Sequence, residues 1–301
     1  MVKNPFPRAR LHAGFVLMMV SAKGGVGKST VTVNLAAALK ARGKKVGIFD
    51  ADLHGPNIPA LLGIRQKRDL TRAKNPDVMF PIEARPDAMD MRPIKPYDRY
   101  GIKIMSLGLL VGDTQAITPQ TATVGMIITS LMARVLWDTD VLLVDMPPGT
   151  GEPLNALLSS GMVDAALLIA VRERLAHLDN GRLVTLLNAR KVPVFGVVEN
   201  MTHIICPRCG ELIELYPFPV SEQAAYDGAA ILTSIPFHPH LIRQTRGGPP
   251  LPLSDVASPA RAPLLALADA VLARIDDPIR ANGSHATPTD QPPKDDCIDC
   301  P

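Results

Sequence analysis

The sequence predicts an α/β fold, a mostly parallel sheet with helices on both faces, from three observations. Short apolar runs alternate with stretches of helical period along most of the chain, the pattern of strands returned by crossover helices. The composition is 47% hydrophobic but only 4% aromatic, which suits strands buried on both faces better than a sandwich of two sheets. A glycine-rich turn, "SAKGGVGKST" at 21–30, joins the first apolar run to the first helical stretch.

The elements follow in order. "FVLMMVS" reads as a buried strand, "KSTVTVNLAAALKAR" as a helix closed by Gly43, and "KKVGIFD" as the second strand. The loop "ADLHGPNIPALLGI" comes next. Between Arg65 and Tyr100, nine Lys/Arg, six Asp/Glu and repeated prolines dissolve the periodicity, so an irregular surface excursion is expected there, not a separate domain. Regular structure resumes with the strand "GIKIMSL", a helix over 120–137 and the strand "DVLLVDMP". The strand "AALLIAV", a helix over 176–190 and the strand "VPVFGVVEN" follow. A helix over 221–228, the short strand "ILTSIP" and a helix over 260–275 complete the series. Residues 277–301, rich in Pro, Asp, Thr, Ser and Asn, predict a disordered tail behind a single domain spanning 1–276.

Several function classes are disfavoured by composition. The formal charge is +3 with no basic stripe, so nucleic acid is not an expected partner. No apolar run reaches the roughly 18 residues of a membrane span. "GFVLMMV" lacks a small-residue cleavage site and reads as a strand, so a cytoplasmic protein with no membrane partner is expected. The four cysteines form two C-x-x-C pairs, Cys206/Cys209 and Cys297/Cys300. That usage points to a reducing compartment and to metal or redox chemistry over structural disulfides.

The turn at 21–30 approaches the pattern G-x-x-x-x-G-K-[ST], with Gly27, Lys28 and Ser29 in place and Ala22 where the first glycine belongs. Gly24, Gly25, Val26 and Gly27 offer backbone N–H groups to an anion at a helix N-terminus. Lys28 is expected at the β- and γ-phosphates, Ser29 on Mg²⁺ and Thr30 at the α-phosphate. Asp145 ends the apolar strand "VLLVD", where a carboxylate holds Mg²⁺ through water. Asp50 and Asp52 end the second strand. A strand-end cap accounts for any one of these aspartates, but three beside a phosphate loop suggest a shared site.

The second lysine, Lys23, is explained by a resemblance. K-G-G-x-G-K-[ST] resembles the deviant Walker A loop of the MinD/ParA/nitrogenase-iron-protein class of P-loop ATPases. That resemblance implies that Lys23 reaches the nucleotide of a second protomer, that Asp52 orients the attacking water, and that "PPGTG" at 147–151 is the second switch. Asn200 matches the position that reads the adenine edge, although a turn residue is the plainer reading. "DADLHGPNIPALLG", "VDMPPGTGE", "VPVFGVVENMTHIICPRCGE" and "SIPFHPHLIRQTRGGPPL", in this order, look like the Mrp (ApbC-like) iron–sulfur cluster carriers. The likeness runs from about residue 14 to about 255. The chain departs from it at "AITPQTATVG", where an Arg-Gly-Pro segment is usual, and at Arg172-Glu173, where Pro-Gln is usual.

In "CPRCG", Pro207 stiffens the turn and Gly210 lets amides face the sulfurs, the makings of a metal knuckle. Two thiolates do not fill a four-ligand site, so Cys206 and Cys209 from each of two chains would complete it across a twofold axis. A small Zn²⁺ knuckle or an unliganded pair is the alternative. The expected protein is thus a homodimer using ATP and Mg²⁺ that carries a bridging cluster, [4Fe–4S] by preference, to apo iron–sulfur proteins, with an assembly scaffold as a further candidate partner. A MinD/ParA-type positioning ATPase and an iron–sulfur electron-transfer ATPase are the rival readings; a membrane-binding form of the first needs a basic amphipathic C-terminal helix, whereas "PPKDDCIDCP" is acidic. Cys297 and Cys300 read as a mobile extra pair in preference to ligands of the same site.

Overall fold

The computed structural model describes residues 11–52, 55–64, 93–106, 109, 121–206, 208–216, 226–243 and 248–277. The tail beyond residue 277 with Cys297 and Cys300, Pro207 and most of the 65–100 excursion lie outside them.

The chain opens with β1 (Ala13–Val20), α1 (Lys28–Ala41), β2 (Val46–Asp50) and the short α2 (Ile58–Leu61). Next come β3 (Tyr97–Arg99), β4 (Ile102–Ser106), α3 (Thr121–Arg134), β5 (Thr139–Asp145) and α4 (Glu152–Ser160). The second half contains β6 (Ala165–Ala170), α5 (Arg174–Ala189), β7 (Val194–Asn200), β8 (His203–Ile205) and β9 (Leu212–Glu214). β10 (Ile231–Ile235), α6 (Pro239–Arg243) and α7 (Arg261–Asp276) complete it.

Eight strands form one sheet in the order β10-β7-β6-β1-β5-β2-β4-β3, parallel throughout except for β3, which pairs antiparallel with β4. Because side chains alternate along a strand, β1 feeds both faces. Leu17 and Met19 pack with α1, α2 and α7, while Val16, Met18 and Val20 pack with α3, α4 and α5. In α7 the stripe Leu264, Leu267, Ala268 and Val271 has the helical spacing of one face and is buried. The sheet is therefore buried on both faces, as the near-continuous apolar strands require.

Parallel strands all end on the same edge, and this brings the chemistry together. Asp50 pairs in register with Asp145 on one side and Ser106 on the other. Met19, near the end of β1, pairs with Asp145.

Three local readings change. α3 stops at Arg134, short of the expected 137, because Val135 bridges to Ile94 and Trp137 turns into the core. The Trp137 indole N–H donates to the Met132 carbonyl at 3.0 Å, and a Cβ on Gly47 would lie 2.9 Å from its ring. Of the helix expected over 221–228, residues 226–228 form a turn and 221–225 lie outside the described residues. α4 and the β8–β9 hairpin were not anticipated. α4 is bounded by Gly151 and by Gly161 at φ 67°, and it buries Leu154, Leu157 and Leu158. Cys206 comes directly after β8, at the start of the connection to β9.

Candidate functional site

The loop between β1 and α1 meets the C-terminal ends of β5 and β2. Gly25 and Gly27 adopt φ 80° and 82°, the left-handed region open to glycine. At Gly27 a side chain is excluded twice, since a Cβ there would also collide with the Asn200 amide. α1 has no side-chain cap and no acidic residue in its first turn. Its leading N–H groups, which have no partner within the helix, thus remain suited to an anion.

Beneath the loop, Asp145 is fully buried and collects three side chains. Lys28 Nζ donates to Asp145 Oδ1 at 2.7 Å, and Ser29 Oγ donates to Oδ2 at 2.6 Å. The Thr32 hydroxyl lies 3.0 Å from both Asp145 Oδ1 and the Lys28 carbonyl. Lys28 and Asp145 form a buried ion pair, with 7% and 0% of their side chains exposed. The loop's lysine and hydroxyl are therefore drawn to the carboxylate that the sequence placed beside them.

Asp50 lies next to Asp145 and is fully buried. It accepts hydrogen bonds from Ser106 Oγ at 2.9 Å, the Asp52 N–H at 3.2 Å and the Ile58 N–H at 3.4 Å. Burial above all, and then the Asp145 charge, push its carboxyl up to about 8, against the pull of those hydrogen bonds and of Lys28. A raised folded value means that the folded chain keeps a proton the unfolded chain has lost between about pH 4 and its own pKa. Stability of the nucleotide- and Mg²⁺-free protein is therefore expected to fall as pH rises through that window and to level off above about 8. Asp50→Asn should flatten the slope. Urea midpoints taken across the window check this, and a midpoint that climbs with pH in the wild-type chain contradicts it.

Asp52 lines the cleft above, its Oδ1 accepting from the Gly55 N–H at 3.0 Å. The cleft encloses about 480 Å³, within the range of small-molecule sites. Its walls include Lys23, residues 24–30, Asp52, Asn57, Pro148, Met201 and Leu241. Ser21 also lines it, with a buried hydroxyl oxygen that has no partner among the described residues. Asn200 is 4% exposed and donates through Nδ2 to the Val26 carbonyl at 2.9 Å, under the loop. The wall at that point is Met201 instead. Lys23 stands 3.7 Å from Glu173 Oε2, in an ion pair about one-third to one-half exposed. Glu173 follows Arg172, which donates to the buried Glu199 at 2.6 Å. In the segment 147–151, Gly149 adopts φ 89° and donates its N–H to the Ser21 carbonyl at 2.9 Å.

The expected site residues thus gather at one cleft, apart from Asn200, which supports the loop from below, and the two cysteines, which form a second centre. Reasoning from sequence missed Thr32, Ser106 and Ser21. Thr32 was accessible, since it lies one helical turn beyond Lys28. Ser106 ends a strand as Asp50 and Asp145 do. Ser21 carried no signal of its own.

The cysteine centre is the turn of the β8–β9 hairpin. The Gly210 N–H donates to the Cys206 carbonyl at 2.9 Å, and the Cys206 N–H donates to the Glu211 carbonyl at 2.8 Å. Hydrogen bonds from the Arg208 and Cys209 N–H groups, with a further one from the Cys209 side chain, lower the Cys206 thiol below its ordinary value. Donors aimed at a sulfur favour the thiolate, the form that binds metal. Both cysteines are free, Cys206 half-buried and Cys209 exposed. Among the described residues, no group of three or more His, Cys, Asp or Glu is placed to hold a metal ion, so this pair is an incomplete set. No helix among those residues is long and apolar enough to cross a membrane.

Comparison with known proteins agrees with this geometry. Residues 13–272 match the model of the ParA family described as NUBPL iron-transfer P-loop NTPase. An iron–sulfur cluster carrier protein of Pyrococcus abyssi is 39% identical over 225 residues, 74% of each chain. The solved nucleotide-binding protein of Archaeoglobus fulgidus in complex with ADP superposes with a TM-score of 0.64 at 31% identity, covering 81% of this chain and 91% of that one. The cell division ATPase MinD of Pyrococcus furiosus superposes with a TM-score of 0.59 at 23% identity over 86% and 99% of the two chains, a likeness of fold alone.

Proposed function

Because the chain belongs to the NUBPL iron-transfer P-loop NTPases of the ParA family, we propose that it is an ATP-dependent iron–sulfur cluster carrier working as a homodimer. The observation that carries this reading is the pairing, in one chain, of a phosphate-loop cleft with an exposed, thiolate-prone but incomplete cysteine pair. The cluster is cargo, held by Cys206 and Cys209 of each of two chains and passed to apo-proteins in the cytoplasm.

The residues fit Mg-ATP. The loop N–H groups and the open start of α1 suit phosphate oxygens, and the buried Ser21 hydroxyl has a bond to give. Lys28 would exchange Asp145 for the β- and γ-phosphates, Ser29 and Asp145 would hold Mg²⁺, and Thr30 would meet the α-phosphate. Bound Mg²⁺ would supply charge neutralisation between the phosphates. Asn200 fixes the loop carbonyl at Val26, and its proposed adenine contact would need the amide to leave that carbonyl. Asp52 lines the cleft and would orient the attacking water. Lys23, half-exposed beside Glu173 at the wall of the cleft, would reach the nucleotide of a second copy.

Asp52→Ala is expected to bind ATP within about twofold of wild type while turnover falls about a hundredfold, the scale of a lost general base. Steady-state hydrolysis beside nucleotide titration checks this; unchanged turnover would move the water-orienting role elsewhere. The carrier role itself is tested by loading the chain anaerobically with iron and sulfide, then adding an apo-acceptor. Loss of the visible absorption with activation of the acceptor is expected. A cluster that stays in place and passes electrons would instead make the protein a reductase.

A further inference from the structure

Near the end of β7, Glu199 is a buried carboxylate that neither the nucleotide cleft nor the cysteine centre uses. Its Oε2 accepts from Arg172 Nε at 2.6 Å and from Ser234 Oγ at 3.2 Å. Its Oε1 accepts from the Tyr226 hydroxyl at 3.2 Å. Arg172 lies just past β6 and Ser234 lies in β10, so one carboxylate ties together the ends of three neighbouring strands. A buried charge is tolerated only when paired and hydrogen-bonded, and Arg172 is the cation here.

Each partner is followed by a residue that touches the phosphate loop. Side chains alternate along β7, so Asn200 leaves on the face opposite Glu199 and donates to the Val26 carbonyl at 2.9 Å. After Arg172 the chain turns tightly, the Glu173 N–H donating to the Val171 carbonyl at 2.8 Å. That turn sets Glu173 3.7 Å from Lys23. The far end of the loop is held separately, by Asp145 through Lys28 and Ser29. The end at 23–26 therefore takes its position from residues adjacent to the Arg172–Glu199 pair. Arg172-Glu173 is also where the chain departs from the Pro-Gln usual in the carriers it resembles, so the pair is a feature of this chain.

We propose that Arg172 is a positioning residue for nucleotide binding, holding the Val26 end of the phosphate loop in its binding form through Glu199 and Asn200. The inference rests on the Mg-ATP reading of the cleft. Arg172 touches neither phosphate nor metal in this account, and it acts on the population of the binding form. If that population falls to about a tenth, the dissociation constant rises about tenfold while the bound complex is unchanged. Affinity and KM carry the effect, and kcat does not.

The test is calorimetric titration of the full chain with Mg-ADP, beside steady-state ATP hydrolysis, below the melting transition of every variant. Arg172→Met is expected to raise the Kd for Mg-ADP and the KM for ATP about tenfold, with kcat within about twofold of wild type. Arg172→Lys should recover most of the affinity, because a single N–H contact needs a cation and not the guanidinium fork. Since Arg172→Met strands a buried carboxylate, Arg172→Met with Glu199→Gln is measured with it. That pair leaves no unpaired charge, and the same loss of affinity is expected. Asn200→Ala should weaken binding by a similar factor, and adding it to Arg172→Met should weaken binding no further, because both act through one contact. Factors that multiply in the combined variant overturn the proposal. So does wild-type affinity in the charge-free pair, or a loss of kcat at unchanged KM. A wild-type chain that fails to bind Mg-ADP would overturn the reading of the cleft, and this proposal with it.

Discussion

Lys28→Ala is expected to weaken Mg-ATP binding by about ten- to a hundredfold, since it removes charge-assisted hydrogen bonds of roughly 1.5–3 kcal/mol from the phosphates. It has a second effect in the empty protein. Asp145 is fully buried and Lys28 is its cation at 2.7 Å, so the substitution strands a buried carboxylate. Losing one partner of such a pair costs about 3–5 kcal/mol of stability, offset where the carboxyl takes up a proton. The variant should therefore melt earlier without nucleotide and regain little on adding it. Lys23→Ala provides the contrast. Its ion pair with Glu173 is half-exposed at 3.7 Å and contributes at most about 1 kcal/mol, so stability and monomer binding should change little. ATP-dependent dimerisation and turnover should be lost. Calorimetric titration and sedimentation with ATP separate the two, and a Lys23→Ala chain that dimerises and turns over like wild type would end the trans-lysine reading.

Cys206→Ala, or Cys209→Ala, is expected to abolish stable cluster binding while ATP turnover stays within about twofold of wild type. Each removes two of four thiolates from the dimer, and the remaining two do not complete a site. Cys206 should be the more sensitive for loading at neutral pH, because backbone N–H groups already favour its thiolate. Visible absorption and iron analysis after anaerobic reconstitution give the answer. Iron retained at the wild-type ratio by either variant would move the ligand set elsewhere.

What could be read in the sequence follows a physical divide. The apolar runs 15–21, 44–50 and 140–147 were legible as buried strands, and parallel strands must end on one edge. The meeting of Lys28, Ser29 and Asp145 was therefore implicit in their positions at a loop and a strand end. α4 went unread although Gly151 and Gly161 mark both its ends, because nine residues carry only two turns of helical period. The β8–β9 ribbon was hidden by its three-residue strands, too short for alternation to declare itself. Asn200 was expected at the adenine edge or as a turn residue; it lies under the phosphate loop with its amide turned to the Val26 carbonyl, a choice set by the space that Gly27 leaves free. The Lys23–Glu173 pair joins a loop to the start of a helix 150 positions away, and only the packed sheet brings them together.

The central claim is that one cluster bridges two chains through Cys206 and Cys209. Native mass spectrometry of the full chain, loaded anaerobically with iron and sulfide, tests it most directly. The predicted result is a dimer carrying one cluster, with no loaded monomer, and apo-dimer only from the cysteine variants. A monomer carrying a complete cluster would contradict it and would make Cys297 and Cys300 the remaining ligands.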